Sequence, residues 1–301
     1  MHYYLSGILM VSYFFELIYY LEWNKNMKNY LFYGNNLILP FFTSLILGIT
    51  FFINRKDRNN RNIDYYFPGI FLGLSLNLFE LCKNNSSNIL LLFEKIILIL
   101  LFILGYTNLK KKYKLCHYLS LFLTLYATII YVLPSLSDIT FNISGIIFYI
   151  FGLIVLAYYY NFIEIEIKNE INLIQFYFIV KLMETIFNII ISIMLTTNLS
   201  IFSEVIRYQF SKIEYIINLI IYLIFSITNT LISFKIIEKT SSNYIVTLNF
   251  IKTPIFGLIT SNYQITSNFV LSFIITLTAI IVYGSSSDMP LPVAIEYYNI
   301  V

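Results

Sequence analysis

The sequence predicts an all-α integral membrane protein, with about ten transmembrane helices arranged as two inverted five-helix repeats. Three observations carry the membrane assignment. Of its 301 residues, 58% are hydrophobic and only 12% are charged, against about 25% charged in ordinary soluble domains. The mean hydropathy is +0.76. Charge at that density cannot coat a water-facing surface, so most of the surface must face lipid. A bilayer core about 30 Å thick takes roughly 20 apolar residues per helix, and segments of that length follow one another along the chain. No separate soluble catalytic domain fits between them.

The first five predicted spans are Tyr3–Leu21, Leu31–Ile53, Tyr66–Leu81, Ser87–Tyr106 and Leu115–Leu133. The second five are Ile143–Tyr160, Leu173–Leu195, Ile213–Ile236, Tyr244–Ser261 and Thr266–Tyr283. The first lacks a cationic leader and a small-residue cleavage site, so it reads as a retained span. Asn77 and Glu80 interrupt the third, with Glu80 expected at its end. The halves cover residues 1–134 and 135–284, and 285–301 form a polar, Pro-punctuated cytosolic tail. Cys82 and Cys116 flank opposite ends of the fourth span, too far apart for a disulfide.

Lys and Arg in the loops set the orientation. The even-numbered loops hold eleven: Arg55, Lys56, Arg58 and Arg61, Lys110, Lys111, Lys112 and Lys114, then Lys168, Lys235 and Lys239. The odd-numbered loops hold five: Lys25, Lys28, Lys83, Arg207 and Lys212. Even loops and both termini are therefore expected in the cytosol. The sequons at Asn84, Asn85, Asn142 and Asn198 then fall on the opposite side. The net charge of +3 is a matter of topology and does not call for nucleic acid.

An internal repeat is legible. The fourth span opens with Ser86-Ser87-Asn88 and carries Lys95; the ninth opens with Ser241-Ser242-Asn243 and carries Lys252. Both lead into a further apolar helix with a Leu-Ser pair, Leu119-Ser120 and Leu271-Ser272. These are the fourth and fifth positions of two five-helix units. Five crossings is an odd number, so the units have opposite orientation, the plan of many secondary transporters.

Charges within spans are the costly residues, at about 2.5–3.5 kcal/mol for a lysine at a helix centre. Lys95 and Lys252 occupy corresponding mid-span places and are expected to line a cavity for an anionic substrate. Glu94, beside Lys95, cannot share its helix face, so one of the two points at another helix. Lys181 and Glu184 stand one turn apart and either neutralise each other or face the same cavity. Glu16 reads equally as interfacial or buried. Asn229 and Thr230 in the eighth span and Thr247 in the ninth are candidates to contact a base or sugar. Pro254 is placed to kink the ninth helix. The run Lys110–Lys114 reads as a topology signal, with a phosphate-attracting mouth as the second option. Aromatic residues, 19% of the chain, pervade loops and helices alike and mark no site. No metal-ligand spacing, Gly-rich phosphate loop or His-based constellation points to an enzyme, a metal or a cofactor.

The run Leu109-Lys-Lys-Lys-Tyr-Lys-Leu-Cys-His-Tyr-Leu-Ser120 resembles the loop and fifth-helix start of nucleotide-sugar transporters in the drug/metabolite transporter superfamily. The nearest likeness is to the UDP-N-acetylglucosamine transporter branch. Ser241 to Gly284, with Val246-Thr247-Leu248, Lys252 and Ile281-Val282-Tyr283, resembles the ninth and tenth helices of that group. Ser6-Gly7 and Leu21-Glu22 are similar to its first helix; elsewhere the likeness is in hydropathy. The resemblance implies ten helices, cytosolic termini, a Golgi or endoplasmic reticulum membrane and exchange of a nucleotide sugar for a nucleoside monophosphate; a homodimer is the candidate assembly. The family's ninth-helix lysine aligns with Lys252. Its fourth-helix basic residue aligns with Lys95 after a one-residue shift; ungapped, Glu94 takes the place. The alternative is a carrier of another small organic anion, such as a sugar phosphate.

Overall fold

The computed structural model describes residues 2–26, 38–53, 66–82, 87–133, 142–168, 172–195, 200–252, 254–255 and 266–285. Within them the helices are α1 (His2–Asn26), α2 (Leu39–Ile53), α3 (Tyr66–Glu80), α4 (Ser87–Glu94), α5 (Ile96–Thr107) and α6 (Leu115–Val132). There follow α7 (Ile143–Lys168), α8 (Leu173–Leu195), α9 (Ser200–Gln209), α10 (Ile213–Lys239), α11 (Ser242–Asn249) and α12 (Ser267–Gly284). The protein is an all-α membrane protein: among the described residues, α1, α6, α7, α8, α10 and α12 contain stretches long and apolar enough to cross a bilayer. Arg55, Lys56, Arg58 and Arg61, the sequons at Asn84, Asn85 and Asn198, and the expected tail beyond Ser285 lie outside the described residues.

The helices are inverted relative to those of a soluble bundle. On α6 the exposed residues are Leu115, Tyr118, Leu119, Phe122, Tyr126 and Ile129. Its buried face carries His117, Ser120, Thr124, Ala127 and Thr128. Small and polar residues inside let helix backbones approach closely, and large apolar ones outside meet lipid. Ser120 Oγ donates to the Ala279 carbonyl across the α6–α12 interface at 2.7 Å. Hydroxyls elsewhere return to their own helix: Thr43, Thr50, Thr124, Thr185 and Thr276 each bond to the carbonyl four residues back. Such local bonds satisfy a hydroxyl where lipid offers no partner.

The main packings are α6 on α12, α3 on α7 and α8, α1 on α10, α2 on α8, and α5 on α7. Gly69 sets the α3–α8 distance. A Cβ there would stand against the Val180 carbonyl oxygen and 2.7 Å from Met183 Cβ. Backbone cannot step aside as a side-chain tip does, so Gly69→Ala should cost about 1–3 kcal/mol. A lowered melting temperature in detergent would register it; an unchanged one would mean α3 and α8 separate freely.

Two of the predicted spans are interrupted. The fourth divides into α4 and α5 at Lys95, and the ninth tightens directly after α11, where the Phe250 and Ile251 N–H groups donate to the Thr247 and Leu248 carbonyls, three residues back, at 3.3 and 3.2 Å. The two breaks stand at matching distances from Ser86-Ser87-Asn88 and Ser241-Ser242-Asn243. They also touch, with Lys95 Nζ 3.4 Å from the centre of the Phe250 ring. The short amphipathic helix α9 was not foreseen. Its Val205 packs with Trp23, Ile38, Leu219 and Leu223, and Trp23 Nε1 donates to Gln209 Oε1 at 3.0 Å. That cluster brings the first and seventh connections together at one end of the bundle.

At the opposite end the fourth, sixth and eighth connections meet around a buried ion pair. Lys111 Nζ reaches both oxygens of Glu164, at 2.6 and 2.7 Å, with neither side chain exposed. Glu164 Oε2 also accepts from the Ser242 backbone N–H at 2.9 Å and its hydroxyl at 2.6 Å, at the first turn of α11. Lys168 Nζ donates to the Thr240 carbonyl at 2.8 Å beside them. The run Lys110–Lys114 is thus more than a solvated topology signal, because one of its lysines is folded into the protein. Lys110 takes a positive φ of 49°, and Lys111 N–H returns to the Gly105 carbonyl at 2.9 Å. Burial pulls the Lys111 pKa below the ordinary lysine value, and the Glu164 charge opposes that pull.

Candidate functional site

Helix α10 carries the polar seam of the interior. Tyr222, Ser226, Asn229, Thr230 and Ser233 recur at three- and four-residue spacing, which places them along one face. Two cavities adjoin that face. One, of about 160 Å³, is lined by Tyr13 and Glu16 of α1, Tyr159 and Tyr160 of α7, Asn229, Thr230 and Ser233 of α10, Asn249 of α11, and Lys252. The other, of about 330 Å³, lies toward the odd-loop end. It is lined by Tyr20, Glu80, Lys181, Glu184, Tyr222 and Ser226.

In the smaller cavity Lys252 Nζ stands 3.1 Å from Glu16 Oε2 and 3.8 Å from the Tyr13 ring centre. Asn229 Nδ2 donates to the same Glu16 oxygen at 2.8 Å. Tyr13 Oη donates to Asn249 Oδ1, and Asn249 Nδ2 donates to Tyr160 Oη at 3.4 Å. The Lys252 side chain keeps 34% of its exposure and Glu16 only 12%. The ammonium is therefore inside the protein yet reachable. Glu16 is a cavity residue, which settles the two sequence readings in favour of the buried one.

Lys181 and Glu184 pair at 2.8 Å, and both line the larger cavity. The two side chains neutralise each other, and the cavity they face is not the one that Lys252 lines. Lys181 also lies 5.9 Å from the Tyr177 ring centre, and Tyr177 Oη donates to Thr230 Oγ1 at 3.2 Å. Thr230 in turn donates to the Ser226 carbonyl. This Tyr177–Thr230 link connects the walls of the two cavities.

Lys95 is placed differently from Lys252. It is buried at 1% exposure, pairs with Glu94 at 3.3 Å, and covers the Phe250 ring, lining neither of these two cavities. Glu94 and Lys95 meet although they are adjacent in sequence, at the point where the fourth span is interrupted. Thr247 is buried and donates to the Asn243 carbonyl of its own helix at 2.9 Å; it too lines neither cavity. The structure therefore brings Lys252, Asn229 and Thr230 together, sets Lys181 and Glu184 beside them, and keeps Lys95, Glu94 and Thr247 apart.

Sequence reasoning passed over Glu164 and Ser242. A signal existed in Ile163-Glu164-Ile165-Glu166-Ile167, where acids interrupt an apolar helical run.

No protein-family model matches the sequence, and none of the curated proteins does. Among solved structures 24 chains match. One, described as "Crystal structure of protein", superposes with a TM-score of 0.57 over 90% of this chain and 97% of its own, at 10% identity. That likeness bears on fold alone: nearly the whole helical arrangement has a counterpart of the same extent.

Proposed function

We propose that the chain is a carrier of a phosphate-bearing small molecule, exchanging a cytosolic nucleotide sugar for a nucleoside monophosphate by alternating access. The observation that carries the reading is Lys252, a partly exposed cation in a cavity lined by α1, α7, α10 and α11. Intramembrane lysines are rare and face the bundle interior, a partner or a watery cavity; Lys252 has both the Glu16 partner and the cavity. Asn229, Thr230 and Ser233 offer uncharged donors and acceptors beside it for a base or sugar, and Lys181 and Glu184 extend the polar wall.

The inverted-repeat plan draws support from the packings. Exchange the first span with the sixth, the second with the seventh, and so on. The α1–α10 contact then maps onto α7–α3, and α3–α8 onto α10–α2. The α2–α8, α5–α11 and α6–α12 contacts map onto themselves. These pairs follow the exchange, as two intertwined five-helix halves require; the α5–α7 packing does not, since its counterpart α1–α11 is much lighter. The matched breaks at Lys95 and Phe250 fit the discontinuous helices of such carriers. In this reading Lys95 holds the junction of the two broken helices and Lys252 meets the substrate. UDP-N-acetylglucosamine and a Golgi or endoplasmic reticulum membrane rest on the sequence resemblance described above, and cytosolic termini on the Lys and Arg distribution among the loops.

A second reading, a carrier of a smaller organic anion such as a sugar phosphate, is favoured by the size of the Lys252 cavity. At about 160 Å³ it falls below the roughly 300–1,000 Å³ of most drug-sized ligand pockets. Uptake of radiolabelled UDP-N-acetylglucosamine into proteoliposomes decides between them. Uptake that requires internal UMP is expected from a nucleotide-sugar exchanger. No uptake of it, with exchange of a sugar phosphate by the same vesicles, would transfer the assignment to the second reading.

A further inference from the structure

An anion arriving at Lys252 finds the position taken. Glu16 Oε2 accepts from Lys252 Nζ and Asn229 Nδ2 at once. A phosphate oxygen would use the same two donors, an ammonium and a neutral N–H aimed at one point. Glu16 belongs to α1, whereas Lys252 and Asn229 belong to the segment after α11 and to α10.

We propose that Glu16 is an internal counter-ion that every anionic substrate must displace from Lys252, so that binding at this site is an ion exchange. The proposal rests on the carrier reading of the cavity and adds to it a residue that sets affinity. In the empty protein the pair is neutral, which spares the cavity the cost of a bare ammonium in low dielectric. When substrate leaves, Glu16 takes its place, so release does not strand the charge. A carrier needs that property, since a site that holds its anion too firmly does not turn over. The bridge also joins residues 1–134 to residues 135–284, so an anion that displaces Glu16 removes a tie between the parts that must move.

The arithmetic is that of a binding-competent fraction. If Lys252 is free of Glu16 in about one molecule in ten, the apparent dissociation constant is about tenfold weaker than the intrinsic one. Glu16→Gln keeps the shape and a hydrogen-bond acceptor for Asn229 while removing the competing charge. Calorimetric titration of the purified full-length chain with inorganic phosphate, and separately with UMP, tests it. Phosphate should bind Glu16→Gln at least about tenfold more tightly than wild type, and Lys252→Ala in the same background should remove the gain. Unchanged or weaker phosphate binding by a Glu16→Gln protein that melts like wild type overturns the proposal. Should Glu16→Gln fail to fold, Glu16→Asp withdraws the carboxylate by one methylene and should tighten phosphate by a smaller factor; no tightening there overturns it equally. The UMP arm addresses the nucleotide reading separately. UMP that binds no better than phosphate rejects that reading, while tighter phosphate binding by Glu16→Gln still upholds the counter-ion.

Discussion

Glu164→Ala should destabilise the protein by about 3–5 kcal/mol, the usual cost of leaving one member of a buried ion pair alone. The geometry puts Glu164 at the upper end of that range. Its carboxylate meets Lys111 through both oxygens and takes two further hydrogen bonds from Ser242. Removing it strands an unexposed ammonium and leaves the first turn of α11 without its acceptor. Lys111→Ala should cost a similar amount, because the carboxylate then remains with only the Ser242 donors. The double replacement Lys111→Met with Glu164→Leu should recover much of the loss, since apolar groups of like volume often match a buried pair in stability. Denaturant unfolding in detergent, followed through the single tryptophan, reads all three. Trp23 stacks on Tyr222 with centroids 6.3 Å apart, so its emission reports packing between α1 and α10. If Glu164→Ala unfolds at the wild-type midpoint, water reaches the pair and the even-loop end is open.

The same pair marks where sequence reading stops. That Lys110–Lys114 is basic and lies between two spans was legible, and a loop charge count needs nothing more. Which lysine turns inward depends on backbone: the positive φ at Lys110 and the return of Lys111 N–H to Gly105 aim one side chain into the bundle. Its partner lies 53 residues further on, beyond the reach of any local pattern. Most spans were legible for the opposite reason, since 20 apolar residues in a row announce themselves without tertiary information. The breaks at Lys95 and Phe250 were only half legible. The repeated Ser-Ser-Asn openings pointed to the fourth and ninth spans as a pair, but hydropathy does not register a backbone hydrogen bond that moves from the carbonyl four residues back to the one three back. Glu16 illustrates the same boundary. Its depth in the first span left it between interface and interior, and only the approach of Lys252 and Asn229 from distant segments decides the matter.

Lys252→Ala should abolish exchange while leaving the protein folded. On the carrier reading it removes the one cation among the described residues that line the smaller cavity, and truncating one partner of a desolvated, hydrogen-bonded charge pair costs about 2–5 kcal/mol or more. At about 1.4 kcal/mol per tenfold, that is roughly 30- to several-thousand-fold in substrate affinity, enough to take transport below detection at ordinary substrate levels. Folding should survive because the Lys252 side chain keeps a third of its exposure and Glu16 retains the Asn229 hydrogen bond. Lys95→Ala makes the instructive comparison. Lys95 is buried over Phe250 at the junction of α4, α5 and the end of α11. Its loss should lower the melting temperature first and reduce transport through the fraction of folded protein. Lys252→Arg keeps the charge on a longer, planar head group in a confined space, so it should retain measurable exchange with weakened affinity. Proteoliposome exchange normalised to folded protein separates the three. Wild-type exchange by Lys252→Ala would mean that the phosphate contacts another cation. With Lys111 held by Glu164 and Lys95 covered by Phe250, Lys181 at the larger cavity is the residue to which the assignment would then move.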